Sequence, residues 1–400
     1  MTPEKAERIF LQEMKGFLFY SRFVWPWHRK LCRSLITPRC HRCVISAQLS
    51  SLNSAGLCSQ CVALSQSDIQ THPPSQAQAL SAPQLRALAE TDSSQVQAQE
   101  LDNILTSTGG KGSGRFDAVV LFSGGKDSVY LVNHLTKVYP KLRLVLLTID
   151  NTFMSPFAKK NIDYTISKIN CELVSVRPPA ALMEKMFRHT FLNLNAKGCS
   201  GTVDQLDGDL LHDIGRNFAK DHRIPLLISG CSRTQVEQIL GLQHFESPQE
   251  VEINPRRSLA QIPLEDMCNE DEIKIWWRGG DPGEIPRVIF PFYVYNFSES
   301  EILEAVERLG LLPPFSKSPL LTNNQLIPLM AIVDMVKFGY SSFESEFCKM
   351  ARVGKTDALF WRNIFELSEY SAKTGRFISK SVDVSLARLG LTRKSMGIPE

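Results

Sequence analysis

Six consecutive residues at positions 123–128, Ser-Gly-Gly-Lys-Asp-Ser, combine groups that bind phosphate. We call residues 123–128 the glycine loop. Its two glycines let the backbone approach phosphate oxygens, because neither carries a Cβ atom. A lysine adds positive charge, two serine hydroxyls add hydrogen-bond donors, and an aspartate can hold a magnesium ion that accompanies the phosphates. The phosphate-binding candidates are Ser123, Gly124, Gly125, Lys126, Asp127 and Ser128, with Lys126 and Asp127 as candidate catalytic residues and Asp127 as the candidate magnesium ligand.

The glycine loop lies between a predicted strand and a predicted helix. Residues 118–122 form an uninterrupted apolar run, which is typical of a buried strand, and Val129, Val132 and Leu135 follow at helical spacing. A helix N-terminus presents free backbone N–H groups and the positive end of the helix dipole, and both attract anions. The spacing of the loop differs from those of the Walker A and dinucleotide-binding motifs. The alternative is an ordinary strand–turn–helix without a ligand.

Four cysteines near the N-terminus have the spacing of a metal site. They form two C-x-x-C pairs, Cys40 with Cys43 and Cys58 with Cys61. Each pair can present two thiolates to one ion, so the two pairs complete a tetrahedral site. Since four protein ligands leave no position open for water, we predict a structural Zn2+ ion. Rubredoxin-like iron or a redox role is the alternative.

Strand and helix patterns alternate between residues 116 and 310. The predicted strands are 118–122, 142–149, 172–176 and 225–229, and helical patterns occupy 158–169 and 206–219. This alternation predicts an α/β fold with a doubly wound parallel sheet. Ligands of such sheets bind at the carboxyl ends of the strands. Asp150 and Gly230 follow two of these strands, so both are predicted to contact the nucleotide; capping a turn is the alternative role for Asp150.

The chain divides into four predicted parts. They are an N-terminal segment with the zinc knuckle (1–65), a Ser/Gln/Gly-rich linker (66–114), a catalytic α/β domain (115–310) with an irregular polar insertion (233–290), and a C-terminal helical region (311–400). Within the catalytic domain, residues 288–294 are predicted as a strand. Ser298 and Glu301 then have the spacing of a capping box, which predicts that a helix begins there.

Composition narrows the class of protein. The 400 residues are enough for two or three domains, and the 43% hydrophobic and 22% charged fractions are ordinary for a globular protein. The net charge of +3 gives no sign of a nucleic-acid partner. Cysteines that cluster at metal spacing, rather than forming a disulfide framework, favour a reducing, cytoplasmic compartment.

Residues 16–27 are apolar and aromatic, but they do not form a predicted membrane span. Arg22 interrupts them, and no run in the chain reaches the ~18–20 apolar residues that a transmembrane helix needs. Basic residues follow the apolar run, whereas they precede it in a signal peptide. We predict a helix that packs on the body of the protein. The alternative is peripheral contact of residues 16–30 with a membrane surface.

The S-G-G-x-D-S pattern of the glycine loop resembles that of the PP-loop ATP pyrophosphatases. The resemblance implies an adenine nucleotide alpha hydrolase-like, Rossmann-like fold, with ATP and Mg2+ as cofactors. It also implies cleavage between the α- and β-phosphates and transfer of AMP to an oxygen of the substrate. A nucleophile, ammonia or sulfur, then displaces AMP.

Further motifs resemble the N-acetyl sugar amidotransferase branch of these proteins. They are C-x-x-C-V at 40–44, G-x-C-x-x-C at 56–61, and a T-N…K-F-G…R-x-G region between 322 and 354. This resemblance implies an amidotransferase of the surface-polysaccharide type, acting on a small molecule, a sugar. It also implies a glutaminase partner that supplies ammonia, since the chain has no glutaminase signature of its own.

Two other functions stay open at this point. A sulfurtransferase that thiolates a tRNA or a small molecule would use the same adenylated intermediate. Thiolating relatives with an iron–sulfur cluster carry three cysteines in the catalytic domain, but here Thr202 and Asn324 stand at two of those positions. Cys199 and Cys231 remain candidates for a persulfide-carrying pair, or are small apolar residues of the core. The third function is a non-catalytic ATP-binding scaffold.

Overall fold

The computed structural model describes residues 3–71, 92–112, 114–233, 235–236, 249–250, 252–295, 297–314, 316 and 318–399. Its centre is a sheet whose strands are β1 (Ala118–Leu121), β2 (Leu144–Ile149), β3 (Glu172–Val176), β4 (Leu226–Ile228), β5 (Gln249–Glu250) and β8 (Arg287–Ile289). β6 (Ser258–Leu259) and β7 (Ile262–Pro263) form a separate antiparallel pair.

Helices precede, connect and follow these strands. Before the sheet lie α1 (Pro3–Phe19), a π-helical turn (Tyr20–Val24), α2 (Trp25–His28), a 3-10 turn (Arg33–Leu35), α3 (Ser59–Thr71) and α4 (Asp92–Thr108). Among the strands lie α5 (Lys126–Val138), α6 (Pro156–Ile166), α7 (Ala180–Leu192), a π-helical turn (Ser200–Asp204), α8 (Gln205–Asp221), α9 (Leu264–Met267) and α10 (Glu270–Ile273). After them lie α11 (Pro291–Tyr295), α12 (Glu299–Arg308), α13 (Pro319–Thr322), α14 (Ile327–Phe338), α15 (Glu344–Arg352), α16 (Ala358–Thr374), α17 (Ser379–Arg388) and α18 (Arg393–Met396).

The strand order places one crevice at the centre of the sheet. The order is β3-β2-β1-β4-β8-β5, and all neighbours are parallel except β5 and β8. All residues of β1, β2 and β4 are buried, as expected for strands covered on both faces. The chain adds β2 and β3 on one side of β1 and then returns to place β4 on the other side. The boundary between β1 and β4 is therefore the switch point at which such sheets bind ligands.

The change of direction between β3 and β4 also places helices on both faces of the sheet. Parallel crossovers are right-handed, so connections that run in opposite directions along the sheet place their helices on opposite faces. α5 connects β1 to β2, and α6 connects β2 to β3. α8 precedes β4 on the return path and packs against β1 and β4. The predicted doubly wound parallel α/β fold, with a cysteine cluster before it and a helical region after it, is confirmed.

Part of the predicted linker is an ordered helix. α4 buries Leu101 and Leu105. Beyond it, the buried carboxylate of Asp117 accepts hydrogen bonds from the N–H groups of Gly110 (2.9 Å) and Gly112 (2.8 Å), so the glycine-rich approach to β1 is fixed by hydrogen bonds. Residues 72–91 of the linker, and residues 237–248 of the predicted insertion, lie outside the described residues.

The strand predicted at 288–294 is wrong in its second half. β8 ends at Ile289, and α11 begins at Pro291. Proline has no N–H to donate to a strand ladder, and its fixed φ suits the first turn of a helix. The capping box is confirmed: the Ser298 hydroxyl accepts from the Glu301 N–H, and the Glu301 carboxylate accepts from the Ser298 N–H.

The aromatic N-terminal segment packs on the body of the protein along one face. Phe17 and Trp25 are buried, and Trp25 Nε1 donates to Glu366 Oε2 at 3.0 Å on α16. Phe19, Phe23 and Trp27 are exposed. Among the described residues, no helix combines the length and the apolar character needed to cross a bilayer.

Candidate functional site

The glycine loop turns the chain sharply from β1 into α5. Gly124 has φ +73°, a conformation that L side chains rarely adopt. A Cβ atom there would lie 2.6 Å from the Ala158 carbonyl oxygen and 2.8 Å from Ile162 Cγ1, both on α6. α6 also holds the loop directly, since Asn161 Nδ2 donates to the Gly124 carbonyl at 2.8 Å. The loop can therefore approach α6 only with glycine at this position.

Replacing Gly124 by alanine is expected to destabilise the fold by roughly 2–4 kcal/mol, because left-handed strain and the clash with a backbone carbonyl add. Displacement of the loop should also weaken the nucleotide binding that the sequence predicts for it. Gly16→Ala is the matched control, since a Cβ at Gly16 meets no atom within 4 Å and the residue lies in α1. Chemical denaturation and nucleotide titration of both variants measure the two effects. Wild-type stability and binding in Gly124→Ala would contradict the assigned loop geometry.

The two serines of the loop shape the start of α5. Ser123 Oγ accepts from the Gly125 N–H at 3.3 Å and lies 3.3 Å from Ser128 Oγ, which donates to the Gly125 carbonyl at 3.1 Å. Gly125 is the N-cap residue, so α5 points its N-terminus into the crevice beyond β1. A Cβ on Gly230, after β4, would lie 3.7 Å from the Ser128 N–H nitrogen. The segments that follow β1 and β4 therefore lie side by side at the glycine loop.

Lys126 is a buried cation between two carboxylates. Its Nζ lies 2.8 Å from Asp127 Oδ2 and 3.6 Å from Glu299 Oε1 at the start of α12. Burial disfavours the charged ammonium, but the charges of Asp127 and Glu299 outweigh it, so the pKa of Lys126 is raised. The side chain therefore stays protonated and is held in place beside the loop.

A small cavity opens beside Lys126. It measures about 110 Å³ and is also lined by Arg233, Glu346 and Lys355. Arg233 Nε donates to the Tyr293 carbonyl at 3.1 Å, which fixes the guanidinium at the rim. The carboxyl groups of Asp127 and Glu299 line the same space, so three basic and three acidic side chains surround it next to the glycine loop.

A second cavity of about 220 Å³ lies at the carboxyl ends of β1 and β2 and includes Ser123 in its wall. Asp204 and Asp207, at the start of α8, face it, as do Asn323 and Asn324 from the C-terminal region. Asp207 accepts from Asn151 Nδ2 at 2.5 Å and from Asn324 Nδ2 at 3.2 Å. The wall thus places these polar groups among apolar side chains such as Met154 and Leu211, and it is assembled from segments far apart in sequence.

Burial governs the acidity of the carboxyl groups here. It raises the pKa of Asp204 to about 7, and the neighbouring charge of Asp207 adds to the shift. Burial, followed by the charge of Asp204, likewise raises the pKa of Glu346 to about 7. Both groups therefore titrate close to neutral pH, where a bound cation or a proton transfer would change their charge.

The raised pKa of Glu346 predicts a stability effect. An unfolded glutamate has a pKa of about 4.3, so between about pH 4 and pH 7 the folded chain keeps a proton that the unfolded chain has lost. The free energy of unfolding then decreases as pH rises through this window. Glu346→Gln should remove this contribution and stabilise the protein at pH 8 by roughly 1–3 kcal/mol, with little effect at pH 4.

Thermal melts of wild type and Glu346→Gln across pH 4–8 measure this difference. Glu304→Gln, on the exposed face of α12, is the matched control. Parallel pH profiles for wild type and Glu346→Gln would show that Glu346 ionises normally in the folded protein.

Asp150 does not line either cavity. Its carboxylate accepts from the Thr152 N–H at 3.0 Å and lies 3.8 Å from both Lys159 Nζ and Arg177 Nε. This is a turn-capping position. The next residue, Asn151, lines the larger cavity instead.

Cys231 lines the larger cavity, whereas Cys199 is absent from its wall. Cys231 Sγ lies 3.3 Å from Ser229 Oγ, which is 3.0 Å from His212 Nε2. Burial raises the pKa of Cys231 to about 11 and lowers that of His212 to about 4. At neutral pH both groups are therefore uncharged, and Cys231 is a thiol rather than the thiolate that a sulfur nucleophile requires.

The cysteine cluster fits a tetrahedral metal ion. The Sγ atoms of Cys40, Cys43, Cys58 and Cys61 all lie within 4.8 Å of one another. Sulfur ligands about 2.3 Å from a tetrahedral ion are about 3.8 Å apart, and the Cys43 and Cys58 sulfurs are 3.6 Å apart. Gly56, the glycine of G-x-C-x-x-C, has φ +71°, and a Cβ there would lie 2.5 Å from the His41 ring. The identity of the ion as zinc stays a prediction.

Helix α15 joins the cysteine cluster to the cavity beside Lys126. On one face, Arg352 Nη2 donates to Cys43 Sγ at 3.6 Å, and the buried thiol of Cys348 hydrogen-bonds to Cys43, which is the largest contribution that lowers the pKa of Cys43 to about 4. On the opposite face, Glu346 and Met350 line the cavity. The position of that wall therefore depends on contacts with the cysteine cluster.

Sequence reasoning missed several residues of the site. They are Asn151, Asn161, His212, Glu299, Glu346 and Lys355. Asn151 lies two residues after the end of β2, and Glu299 lies at the predicted start of α12, so the positions of both at element ends were available signals. The others lie within helices or irregular segments, where nothing in the local pattern separates them from surface residues.

No protein-family model matches the chain, and no curated protein sequence matches it. Among solved structures, it is similar to the U34-tRNA thiolase NcsA from Methanococcus maripaludis with its [4Fe-4S] cluster, at 16% identity over 90% of this chain and 91% of that chain, with a TM-score of 0.36. It is also similar to the NMN synthetase from Francisella tularensis, at 13% identity over 75% of this chain and 97% of that chain, with a TM-score of 0.35. Likeness at this level assigns neither a family nor an activity to the chain.

Proposed function

We propose that the protein is an ATP-dependent adenylating enzyme of the PP-loop type, which forms AMP and pyrophosphate. The observation that supports this most is the position of the glycine loop. The loop joins the buried strand β1 to the N-terminus of α5 at the switch point of a parallel sheet, with the ammonium of Lys126 beside it.

In this proposal the loop binds the pyrophosphate end of ATP. Negative charge builds up on that group as the bond to the α-phosphate breaks, so N–H groups and a cation that are already in place stabilise the transition state. Lys126 supplies the charge, Ser123 and Ser128 supply hydroxyl donors, and Asp127 holds Mg2+. Bound Mg2+ would neutralise charge on the phosphates. Gly230 leaves room for the nucleotide next to the loop.

The acceptor in this proposal is a carbonyl or amide oxygen of a small molecule, a sugar. It would bind in the larger cavity, where the side-chain amides of Asn151 and Asn324 and the carboxyl groups of Asp204 and Asp207 offer both donors and acceptors. Ammonia would then displace AMP. A glutaminase partner supplies the ammonia. The proposal of this partner rests on the sequence resemblance alone.

Sulfur transfer is the second candidate, and the presence of Cys231 in the cavity wall favours it. The neutral state of the thiol argues against it, because persulfide chemistry begins from a thiolate. If the enzyme transfers sulfur, Cys231→Ser abolishes turnover. If it transfers ammonia, Cys231→Ser keeps most of the activity.

The test separates the products of ATP turnover. Purified protein is incubated with Mg·ATP, candidate acceptors, and ammonium or sulfide in turn, and AMP plus pyrophosphate is separated from ADP plus phosphate. We expect acceptor-dependent AMP that disappears in Asp127→Ala and persists in Asp271→Ala, an exposed aspartate on α10. ADP and phosphate as products would overturn the proposal. Cellular function that survives Asp127→Ala would favour a non-catalytic scaffold.

A further inference from the structure

Four large apolar side chains form an exposed stripe along the N-terminal helical segment. Phe19, Phe23, Trp27 and Leu31 follow one another at intervals of four residues, and they are 61%, 58%, 74% and 85% exposed. Phe19, Phe23 and Trp27 lie in helical turns, where residues four apart share a side but drift slowly around it, since one turn takes 3.6 residues. The wider π-helical turn at Tyr20–Val24 offsets part of this drift. Leu31 lies in the turn that follows the end of α2 at His28. We call these four residues the aromatic stripe.

The opposite side of the same segment is anchored to the protein. Ser21, Trp25 and Cys32 are buried. Tyr20 Oη lies 2.8 Å from His28 Nδ1, and Arg29 Nη1 pairs with Glu366 at 3.3 Å. The stripe is therefore held outward by a fixed scaffold, and the exposure of its side chains is not the result of a frayed end.

The charged side chains of residues 14–67 themselves have one sign, although Arg29 and Arg39 pair with Glu366 and Glu344 of the C-terminal helices. Residues 14–67 contain no aspartate or glutamate. The basic residues in this range are Lys15, Arg22, Arg29, Lys30, Arg33, Arg39 and Arg42. Arg22 lies over the ring of Phe23 at 5.5 Å, and Lys30 lies over the ring of Trp27 at 5.0 Å, and both basic residues are exposed. Cations therefore flank the apolar rings directly.

This combination fits a lipid surface better than a protein partner. Protein interfaces are enriched in Phe, Trp and Arg, but they are depleted in lysine and their centres in charged residues. Here Lys30 lies directly over the ring of Trp27. At a membrane surface, aromatic rings sit at the level of the headgroups, and neighbouring lysine and arginine side chains reach the phosphates. A fixed helical segment with Phe, Trp and Leu on one side and a basic flank is typical of interfacial membrane binding.

We propose that the aromatic stripe docks the protein peripherally on a membrane that contains anionic lipids. The rings and Leu31 insert among the headgroups, and Arg22, Lys30 and Arg33 contact lipid phosphates. This inference is independent of the adenylation chemistry proposed above, since no residue of the stripe lines either cavity. The two proposals can therefore fail separately.

Full-length protein is mixed with vesicles of phosphatidylcholine alone or of phosphatidylcholine with phosphatidylglycerol, and the bound fraction is measured by sedimentation. We expect binding to the anionic vesicles that weakens at high salt, because headgroup attraction is screened. The double variant Phe23→Ser, Trp27→Ser should reduce the partition coefficient by about tenfold or more. Leu359→Ser, an exposed apolar residue on α16, should leave it unchanged.

Tryptophan emission gives a second readout. The chain has five tryptophans, and all except Trp27 are buried: Trp25, Trp276, Trp277 and Trp361. A blue shift on addition of anionic vesicles would therefore report insertion of Trp27. Absence of binding to anionic vesicles, or equal binding by the double variant, would overturn the proposal. Self-association that the double variant abolishes, without vesicle binding, would assign the stripe to a second copy of this chain instead.

Discussion

Lys126→Met is expected to slow formation of pyrophosphate by about 10²–10³-fold. The substitution keeps an unbranched chain in a buried position but removes the charge that stabilises the leaving group. Because this charge matters most in the transition state, kcat should fall much more than KM rises. Lys137→Met is the matched control, since Lys137 is exposed in the last turn of the same helix.

The measurement is a steady-state assay of pyrophosphate release with saturating Mg·ATP. A reduction of only a few-fold would assign leaving-group stabilisation to the loop N–H groups rather than to Lys126. Loss of secondary structure in the variant would trace the effect to folding instead, because Asp127 and Glu299 would lose their cation. Circular dichroism of both variants distinguishes these outcomes.

Cys58→Ser is expected to release the metal ion and to reduce the free energy of unfolding by at least about 4 kcal/mol, because binding energy at a structural site is also folding energy. It should also abolish AMP formation, although Cys58 lines neither cavity. The reason is helix α15, whose Cys348 and Arg352 contact the cluster while Glu346 and Met350 form the wall beside Lys126.

Cys171→Ser is the control for this variant, since Cys171 is a half-buried thiol that belongs to neither the cluster nor a cavity. Metal content, chemical denaturation and AMP formation are measured on all three proteins. If Cys58→Ser loses the metal and keeps wild-type AMP formation, α15 holds its position without the cluster. If Cys58→Ser keeps the metal, the other three cysteines and one further ligand are enough to bind the ion.

The core of the fold was predictable because short stretches of sequence carry the signals for its strands and helices. The strand at 118–122 is an uninterrupted apolar run, and Ser298 with Glu301 gives a complete capping signal. The strand at 288–294 failed because the apolar run continues through a boundary that only Pro291 marks. An apolar run by itself does not separate a short strand from a buried helical turn.

The candidate site was predictable only where it is contiguous in sequence. The glycine loop and the two C-x-x-C pairs each occupy a few residues, so spacing alone revealed them. Glu346 and Lys355 reach the cavity beside Lys126 through tertiary packing, which a single sequence does not encode in any local pattern. The carboxylate of Asp150 accepts from the Thr152 N–H, which is the turn-capping role that the sequence left open for it, and its contact with the nucleotide stays a prediction.

The contribution of the C-terminal region to the cavities has a consequence for how the protein is made. Asn324 pairs with Met154 in an isolated bridge, Ser155 Oγ donates to the Leu321 carbonyl, and Glu346 closes the wall beside Lys126. On the ribosome the cysteines and the glycine loop emerge long before these residues, and domains form in order of synthesis. A nascent chain can thus bring the four cysteines together early, whereas the proposed nucleotide crevice stays without a wall until synthesis has passed α15. If the cluster binds a metal and the crevice binds ATP as proposed, incomplete chains should accumulate as metal-loaded proteins that do not consume ATP.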